Sequence, residues 1–530
     1  METTIKEINT ISPEDEYCND TSPEHRKQFA QFFTPLYIVE LMTEWLLGSN
    51  SLHNVVEPAF GLGIFSRRLL SKKKDLLIKG FELDEVIFNK AKNLFKDKKN
   101  VNLILQDYIF NDWKNKYDGI ICNPPYFKFH DYNNVQTIKE IKKYLKCDLS
   151  QTSNLYTLFL LKSLYQLNTN GRCAYILPSE FLNSDYGKKI KSYLINTKML
   201  RYVILFDCNE SIFKDAITTA SILLFANDTN NKHVQFINIK KFSDIENIKN
   251  IIKTYPEYKY QTTIIQQSKL SSDVKWKNYY QIPNTDKFKN IIPFSDYAKV
   301  VRGIATGAND YFTFNISKAK QFCIDEKFLL PCICKSTDIK NSYFTQYDFE
   351  KLKKDNKNIF LINAENNTDR NVTEYLRLGE LNKINKKYLT SHRSPWYAIE
   401  KRLPAPIWVS VFNRKGLRFI RNEANILNLT TFHCIYTKFK DNNNLNINLF
   451  FAYLLTDTAK QIFEDNSREY GNGLKKFEPN DLNKSKIIDF SKLTSIEIRE
   501  IVSQIALYKT DNQDSHIKKI DTIFKEKFSR

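Results

Sequence analysis

Short apolar runs alternate with helical spacing through the first part of the chain. HNVVEPAFGLG ends an apolar run in a turn, FSRRLLSK follows with helical spacing, and LLIKGFELD is a second run closed by acids. AKNLFKDKK then reads as helix, VNLILQDYIF as strand and YDGIICNPPY as another strand. GRCAYILPSEFL, MLRYVILFD and TTASILLFAND are three further strand-like runs, with the helix YGKKIKSYLI after the first. Strands that are apolar at almost every position, separated by helices, predict a parallel sheet covered on both faces. The expected domain is α/β and spans residues 1–228. Residues 229–292 are charged and weakly patterned and read as a connecting region. Residues 293–530 carry short strand-like pieces between Asn- and Lys-rich turns and then helical stretches, which predicts a mixed α+β domain.

Composition narrows the setting. Lys and Arg outnumber Asp and Glu by 79 to 60, a formal charge of +19 that suits a polyanionic partner, although a chain this rich in Lys, Asn and Ile is basic throughout. Nine scattered cysteines with no C-x-x-C pair read as reduced thiols in a cytoplasm, and no metal site is expected. Cys332, Cys334 and His433 sit in apolar surroundings and are expected in the core. The polar N-terminus and the short apolar runs predict neither secretion nor membrane insertion.

The candidate chemistry falls at strand ends, where open parallel sheets bind ligands. EPAFGLGIF ends the first strand, and its Gly61 and Gly63 permit a tight turn and close approach to a ligand. Ser66 stands where a dinucleotide fingerprint would have its third glycine, which weakens a pyrophosphate reading. Glu82, ending the second strand, can accept from ribose hydroxyls. Asp107, ending the third, can accept from an adenine amino group, with Tyr108 against the ring. After the fourth strand comes NPPY, whose two prolines stiffen an extended turn. The side-chain oxygen of Asn123 and the carbonyl of Pro124 can accept both hydrogens of a planar amino group, and Tyr126 offers a face for stacking. Such a site activates a nitrogen nucleophile without a general base.

QFFTP, EPAFGLGIF, FELD, QDYIF and NPPY, in this order, resemble the gamma-class N6-adenine DNA methyltransferases, which use S-adenosylmethionine. GRCAYILPSEFL and SIFKDAITTASILLF are similar to later strands of that fold. VRGIATGANDYF, RSPWYAI, IWVSVF and REYGNGLKKFEPNDL resemble the target-recognition region of relatives that have a separate DNA-reading domain. The resemblance implies a Rossmann-like methyltransferase sheet followed by a DNA-recognition domain over 293–530. It places Thr34, Glu57, Pro58 and Ala59 near the methionine part of the cofactor, with Gly61 and Gly63 giving backbone access. Glu82 would take the ribose, and Asp107 and Tyr108 the cofactor adenine. Asn123 and Pro124 would accept from the target adenine, flanked by Tyr126 and Phe213. Phe60 and Leu62 depart from the small residues common there and bear on cofactor affinity.

The implied reaction is sequence-specific methylation of a flipped-out adenine in double-stranded DNA, as the modification enzyme of a restriction-modification system. Arg302, Arg393, Arg414, Arg418, Arg421 and Arg468 are available for DNA. The residues before QFFTP are too few for a nuclease domain, so an accompanying endonuclease would be encoded separately. Cytosine N4 is a chemically similar target. A protein glutamine or RNA N-methyltransferase would suit NPPY as well, and a DNA-binding module with an inert methyltransferase half would suit the basic second part. The long basic half speaks against the first, and intact Glu82, Asp107 and Asn123 against the second.

Overall fold

A computed structural model of the chain describes residues 12–184, 186–206, 220–239, 241–257, 263–281, 283–365, 369–413, 417–439, 446–470 and 474–530. The chain divides into two units, 1–282 with 469–473, and 283–468 with 474–530.

The first unit is organised on one sheet. Its strands are β1 (Asn54–Glu57), β2 (Leu77–Glu82), β3 (Val101–Leu105), β4 (Tyr117–Cys122), β5 (Leu167–Pro178), β6 (Leu200–Phe206), β7 (Ala220–Ala226), β8 (His233–Ile239) and β9 (Thr263–Gln266). They lie in the order β3-β2-β1-β4-β5-β7-β6-β8-β9. β1 to β5 are mutually parallel, and β7 runs antiparallel between β5 and β6. β8 adds parallel to β6, and β9 adds antiparallel to β8.

Both faces of this sheet are buried, which is why its strands read as unbroken apolar runs. Ile120 and Cys122 of β4, with Cys173, Tyr175 and Leu177 of β5, face one core; Ile121, Ala174 and Ile176 face the other. Helices α6 (Asn134–Tyr144) and α7 (Leu155–Tyr165) cover the first face with Ile138, Ile141, Leu158 and Leu161. Helices α3 (Leu36–Leu47), α4 (Ile64–Lys72) and α5 (Glu85–Leu94) bring Ile38, Leu41, Trp45, Phe65, Leu69 and Ala91 to the second. Two short helices, α1 (Pro13–Asp20) and α2 (Pro23–Gln28), precede them, each with a serine N-cap and a proline in its first turn.

The stretch 229–292 supplies β8 and β9 of the same sheet rather than only a connection. Gln235, fully buried in β8, and Asn238 interrupt the apolar pattern that marked the other strands. The sheet order turns back at β1, which pairs with both β2 and β4. The carboxyl ends of β1 to β4 therefore open onto one edge at the switch point, where open α/β sheets bind ligands.

The second unit is mixed α+β. Strands Ala298–Arg302, Phe432–Thr437, Ile407–Ser410, Phe419–Asn422 and Tyr343–Phe344 form a five-stranded sheet in that order. Thr313–Phe314, Phe360–Ile362, Leu329–Ile333 and Leu427–Asn428 form a second sheet. Helices Ile447–Leu455, Asp457–Glu464, Ser495–Asp511 and Asp514–Phe528 pack together around Phe450, Tyr453, Phe463, Ile501 and Phe524. His433 is buried and its Nε2 lies 2.7 Å from the Phe477 carbonyl. Cys332 is also buried, and Cys334 is partly so. Arg393, Arg418 and Arg421 donate to carbonyls of Ala305 and Thr306, of Ile339, and of Pro406 respectively. Arg414 and the Arg468 side chain lie outside the described residues.

Candidate active site

The switch-point edge holds a cavity of about 980 Å³, its open mouth included. The turns after β1, β2, β3 and β4 line it, together with residues 29–34. Of the residues proposed for the cofactor, Thr34, Glu57, Pro58, Ala59, Gly61, Glu82, Asp107 and Tyr108 are on its wall. Gly63 lies beneath the wall as the left-handed N-cap of α4, with φ +68°.

Gly63 also shows where Phe60 went. A Cβ built on Gly63 would stand 2.4 Å from the Phe60 ring, and one on Gly80 of β2 would stand 2.3 Å from it. The bulky residue at position 60 thus fills a hole left by two glycines and meets Phe95 edge-on at 5.2 Å. Its ring is an element of the core under the turn, and it is 3% exposed.

Three carboxyls at strand ends are held in different ways. Glu82 accepts from the backbone N–H of Gly61 at 2.8 Å, of Leu83 at 2.8 Å and of Asp84 at 3.0 Å. Burial raises its carboxyl above the usual range, against the lowering effect of those N–H groups. Glu57 accepts from both the N–H and the hydroxyl of Ser66, at 3.1 and 2.5 Å, through the same oxygen. Burial pushes this carboxyl up to about 8. Ser66, the residue that breaks the glycine fingerprint, is therefore the partner that fixes Glu57. Asp107 caps the short turn Tyr108–Phe110 by accepting from Ile109 N–H at 2.8 Å, and burial raises its carboxyl too.

Tyr108 sends its ring inward. The hydroxyl donates to Gln166 at 2.6 Å and meets Ser163 at 3.0 Å, and the ring packs between Phe81 and Phe159. Lys162, fully buried, donates to the carbonyls of Tyr108 and Asn111 and lies over the Tyr108 ring, which fixes the turn after β3 from below.

Asn123 is the site's most constrained polar group. Its Nδ2 donates to the Phe32 carbonyl at 2.7 Å and to Thr34 Oγ1 at 3.0 Å. Its Oδ1 is buried and has no hydrogen-bond partner among the described residues. Exchanging the amide's oxygen and nitrogen would set two carbonyl oxygens against each other at 2.7 Å, so the hydrogen-bonding pattern assigns the orientation. A buried acceptor without a donor costs about 1–3 kcal/mol, a cost that a hydrogen arriving with a ligand would relieve. Pro124 and Pro125 line the cavity beside it.

Tyr126 lies next to Asn123 but off the cavity wall. Its ring stacks on Phe32 at 5.7 Å and 23°, and its hydroxyl donates to the Ile176 carbonyl at 3.4 Å. Phe213, the other residue proposed for the target base, lies outside the described residues. The contributions of Phe32 and Lys162 were missed from sequence: one acts partly through a backbone carbonyl, and the other is a lysine within an apolar helix.

Residues 16–296 match the family described as N-6 DNA Methylase, and residues 282–524 match the C-terminal domain of the type II methyltransferase M.Eco57I. Over 99% of its length the chain is 58% identical to the type II methyltransferase M.AccI of Acinetobacter calcoaceticus, covering 98% of that protein. The type II methyltransferase M.HincII of Haemophilus influenzae is 27% identical over 75% of this chain and 72% of its own. Among solved structures, a DrdV–DNA complex determined by electron cryomicroscopy shares the fold, with a TM-score of 0.55 at 12% identity. That alignment takes in 93% of this chain and 59% of that longer one. Among the described residues no helix is long and apolar enough to cross a membrane.

Proposed function

From a chain that belongs to the N6-adenine DNA methyltransferases and is closely similar to a type II modification enzyme, we infer that the switch-point cavity transfers a methyl group from S-adenosylmethionine to the amino nitrogen of an adenine flipped out of double-stranded DNA. The observation that carries this reading is the buried, unpartnered Oδ1 of Asn123, held at the cavity beside two rigid prolines.

The cavity residues fit the cofactor. Glu82 has three of its about four acceptor positions filled by backbone N–H groups, so its Oε2 retains room for one strong hydrogen bond to a ribose hydroxyl. One oxygen of Asp107 caps its own turn, and the other would accept from the cofactor's adenine amino group. Gly61, with no side chain, gives a ligand access to the backbone of the turn after β1. When bound, the cofactor supplies an electrophilic methyl on a sulfonium.

The chain's own work is acceptance and placement. Asn123 Oδ1 and the Pro124 carbonyl each accept one amino hydrogen, which draws the nitrogen lone pair out of conjugation with the ring and aims it at the cavity. Position then supplies most of the acceleration, because the two reactants are held in one geometry. Stacking against Tyr126 offsets part of the few kcal/mol that flipping costs, being worth roughly 1–3 kcal/mol in comparable contacts. The second unit is the DNA-reading part. The enzyme works in the cytoplasm, where its DNA is.

The test is incubation with unmethylated genomic DNA and labelled S-adenosylmethionine, followed by single-molecule sequencing for modified bases. N6-methyladenine confined to one short motif is the expected result. Label in cytosine N4, or in protein or RNA alone, would replace the assignment.

A further inference from the structure

Residues 31–34 deal their side chains alternately to two partners, as extended chain does. Gln31 and Phe33 turn to one side: Gln31 Nε2 donates to Asp84 Oδ2 at 2.7 Å, and Phe33 meets the Tyr17 ring edge-on at 5.8 Å. Phe32 and Thr34 turn to the other: the Phe32 ring lies on Tyr126, and the Phe32 carbonyl and Thr34 hydroxyl take the two Nδ2 hydrogens of Asn123. Asp84 is 2% exposed and its Oδ2 also meets His25 Nε2 at 2.8 Å and the Tyr17 hydroxyl at 3.3 Å. Its other oxygen caps α5 through Val86 N–H at 3.0 Å. One buried carboxylate thus fastens residues 17, 25 and 31 at the end of β2, two positions beyond Glu82.

We propose that the segment 31–34 is a positioning clamp for the Asn123 amide, that Thr34 and the Phe32 carbonyl hold its oxygen toward the substrate, and that Asp84 is the latch that keeps the clamp closed. The inference rests on the assignment of Asn123 as the acceptor for the target amino group. An amide side chain turns easily about its last bond, and with its nitrogen free it would present donor and acceptor alternately. A donor aimed at an amino group repels it. Two fixed acceptors on Nδ2 remove that alternative, and they come from a segment that also walls the cofactor cavity. Docking of the arm and presentation of the acceptor are therefore one event. Thr34 is a positioning residue here, beside its place on the cavity wall.

The test compares Thr34→Val, which keeps shape and loses the hydroxyl, with Thr34→Ser, which keeps the hydroxyl. Single-turnover methyl transfer, cofactor Kd by calorimetry, and flipping of a 2-aminopurine target by fluorescence are measured for each. Thr34→Val is expected to slow methyl transfer at saturating cofactor about tenfold, the worth of one well-placed hydrogen bond, with flipping within about twofold of wild type; because Thr34 also walls the cofactor cavity, the cofactor Kd is measured to set saturation, and Thr34→Ser restores the rate. Gln31→Leu, which loosens the arm as a whole, is expected to lower the rate and weaken cofactor binding together. An unchanged rate in Thr34→Val at saturating cofactor, a loss of rate that saturating cofactor abolishes, or failure of serine to rescue overturns the clamp. Asn123→Ala run alongside separates the two readings: if it too turns over normally, the assignment of the acceptor has failed, and if it is inactive while Thr34→Val is normal, only the clamp has.

Discussion

Replacing Glu57 by glutamine keeps the shape of a protonated carboxyl and removes its ability to ionise. Burial raises this carboxyl from 4.5 to about 8, so at neutral pH the folded protein holds a proton that the unfolded chain has released. The sign follows from linkage: between the two values the native state binds one proton more, so stability falls as pH rises. Each pH unit in that window costs about 1.4 kcal/mol, and the whole window about 5 kcal/mol, an appreciable part of a domain's total. The stabilisation is fully present below 4.5 and gone above about 8. Ser66 donates twice to one carboxyl oxygen, so the proton belongs on the other, where the glutamine NH2 would stand. Glu57→Gln should therefore match wild type within about 1 kcal/mol at pH 5 and exceed it by several kcal/mol at pH 9. The assay is thermal melting of both proteins from pH 5 to 9, with hydrogen exchange of β1 and β4 peptides identifying the transition of the first unit. Taking the difference cancels the other titrating groups. Parallel curves across the range would refute the reasoning. Because the methionine part of the cofactor carries an ammonium, the same variant is expected to bind cofactor more weakly at pH 9, where Glu57 is ionised, while being the more stable there; calorimetry decides.

Asn123→Ala should keep cofactor and DNA binding while methyl transfer falls by a factor of about 10²–10³, as for other lost transition-state partners; near-normal turnover would sink its role. Gly63→Ala meets a left-handed backbone, the Phe60 ring and, at 2.7 Å, the Phe95 ring, and its melting loss should shrink in the Phe60→Ala background toward a remainder that includes the backbone cost of about 1–2 kcal/mol. Additive losses would mean that the ring is not what fills the space. Arg201 is fully buried with Asp228 at 2.9 Å and Tyr255 at 2.8 Å, so Asp228→Ala should cost about 3–5 kcal/mol by urea unfolding, against less than 1 for an exposed pair.

What could be read from sequence was whatever repeats along one strand or falls at its end. Glu57, Glu82, Asp107 and Asn123 were found because a parallel sheet collects the carboxyl ends of its strands on one edge, and each strand was apolar enough to locate. β8 escaped because Gln235 and Asn238 carry its ladder without its pattern. That Tyr108, on the cavity wall, sends its hydroxyl to Gln166 was not legible either, since that partner lies 58 residues away. Phe60 looked like a departure that weakened the cofactor site. In the fold it is compensated by Gly80, a residue of the next strand whose lack of a side chain has meaning only once the two are adjacent.

The largest omission was the arm. QFFTP was recognisable as a motif, yet nothing in its letters says that residue 32 acts through its carbonyl, since every residue has one. Nor does the sequence join Tyr17, His25 and Gln31 to Asp84, which stands more than fifty residues away from each of them. The acceptor on Asn123 was legible because it is a property of a side chain. Its orientation was not, because an amide is aimed by whatever occupies its other end. That occupant is set by long-range packing, and for this reason a candidate acceptor can be named from sequence while the residues that aim it cannot.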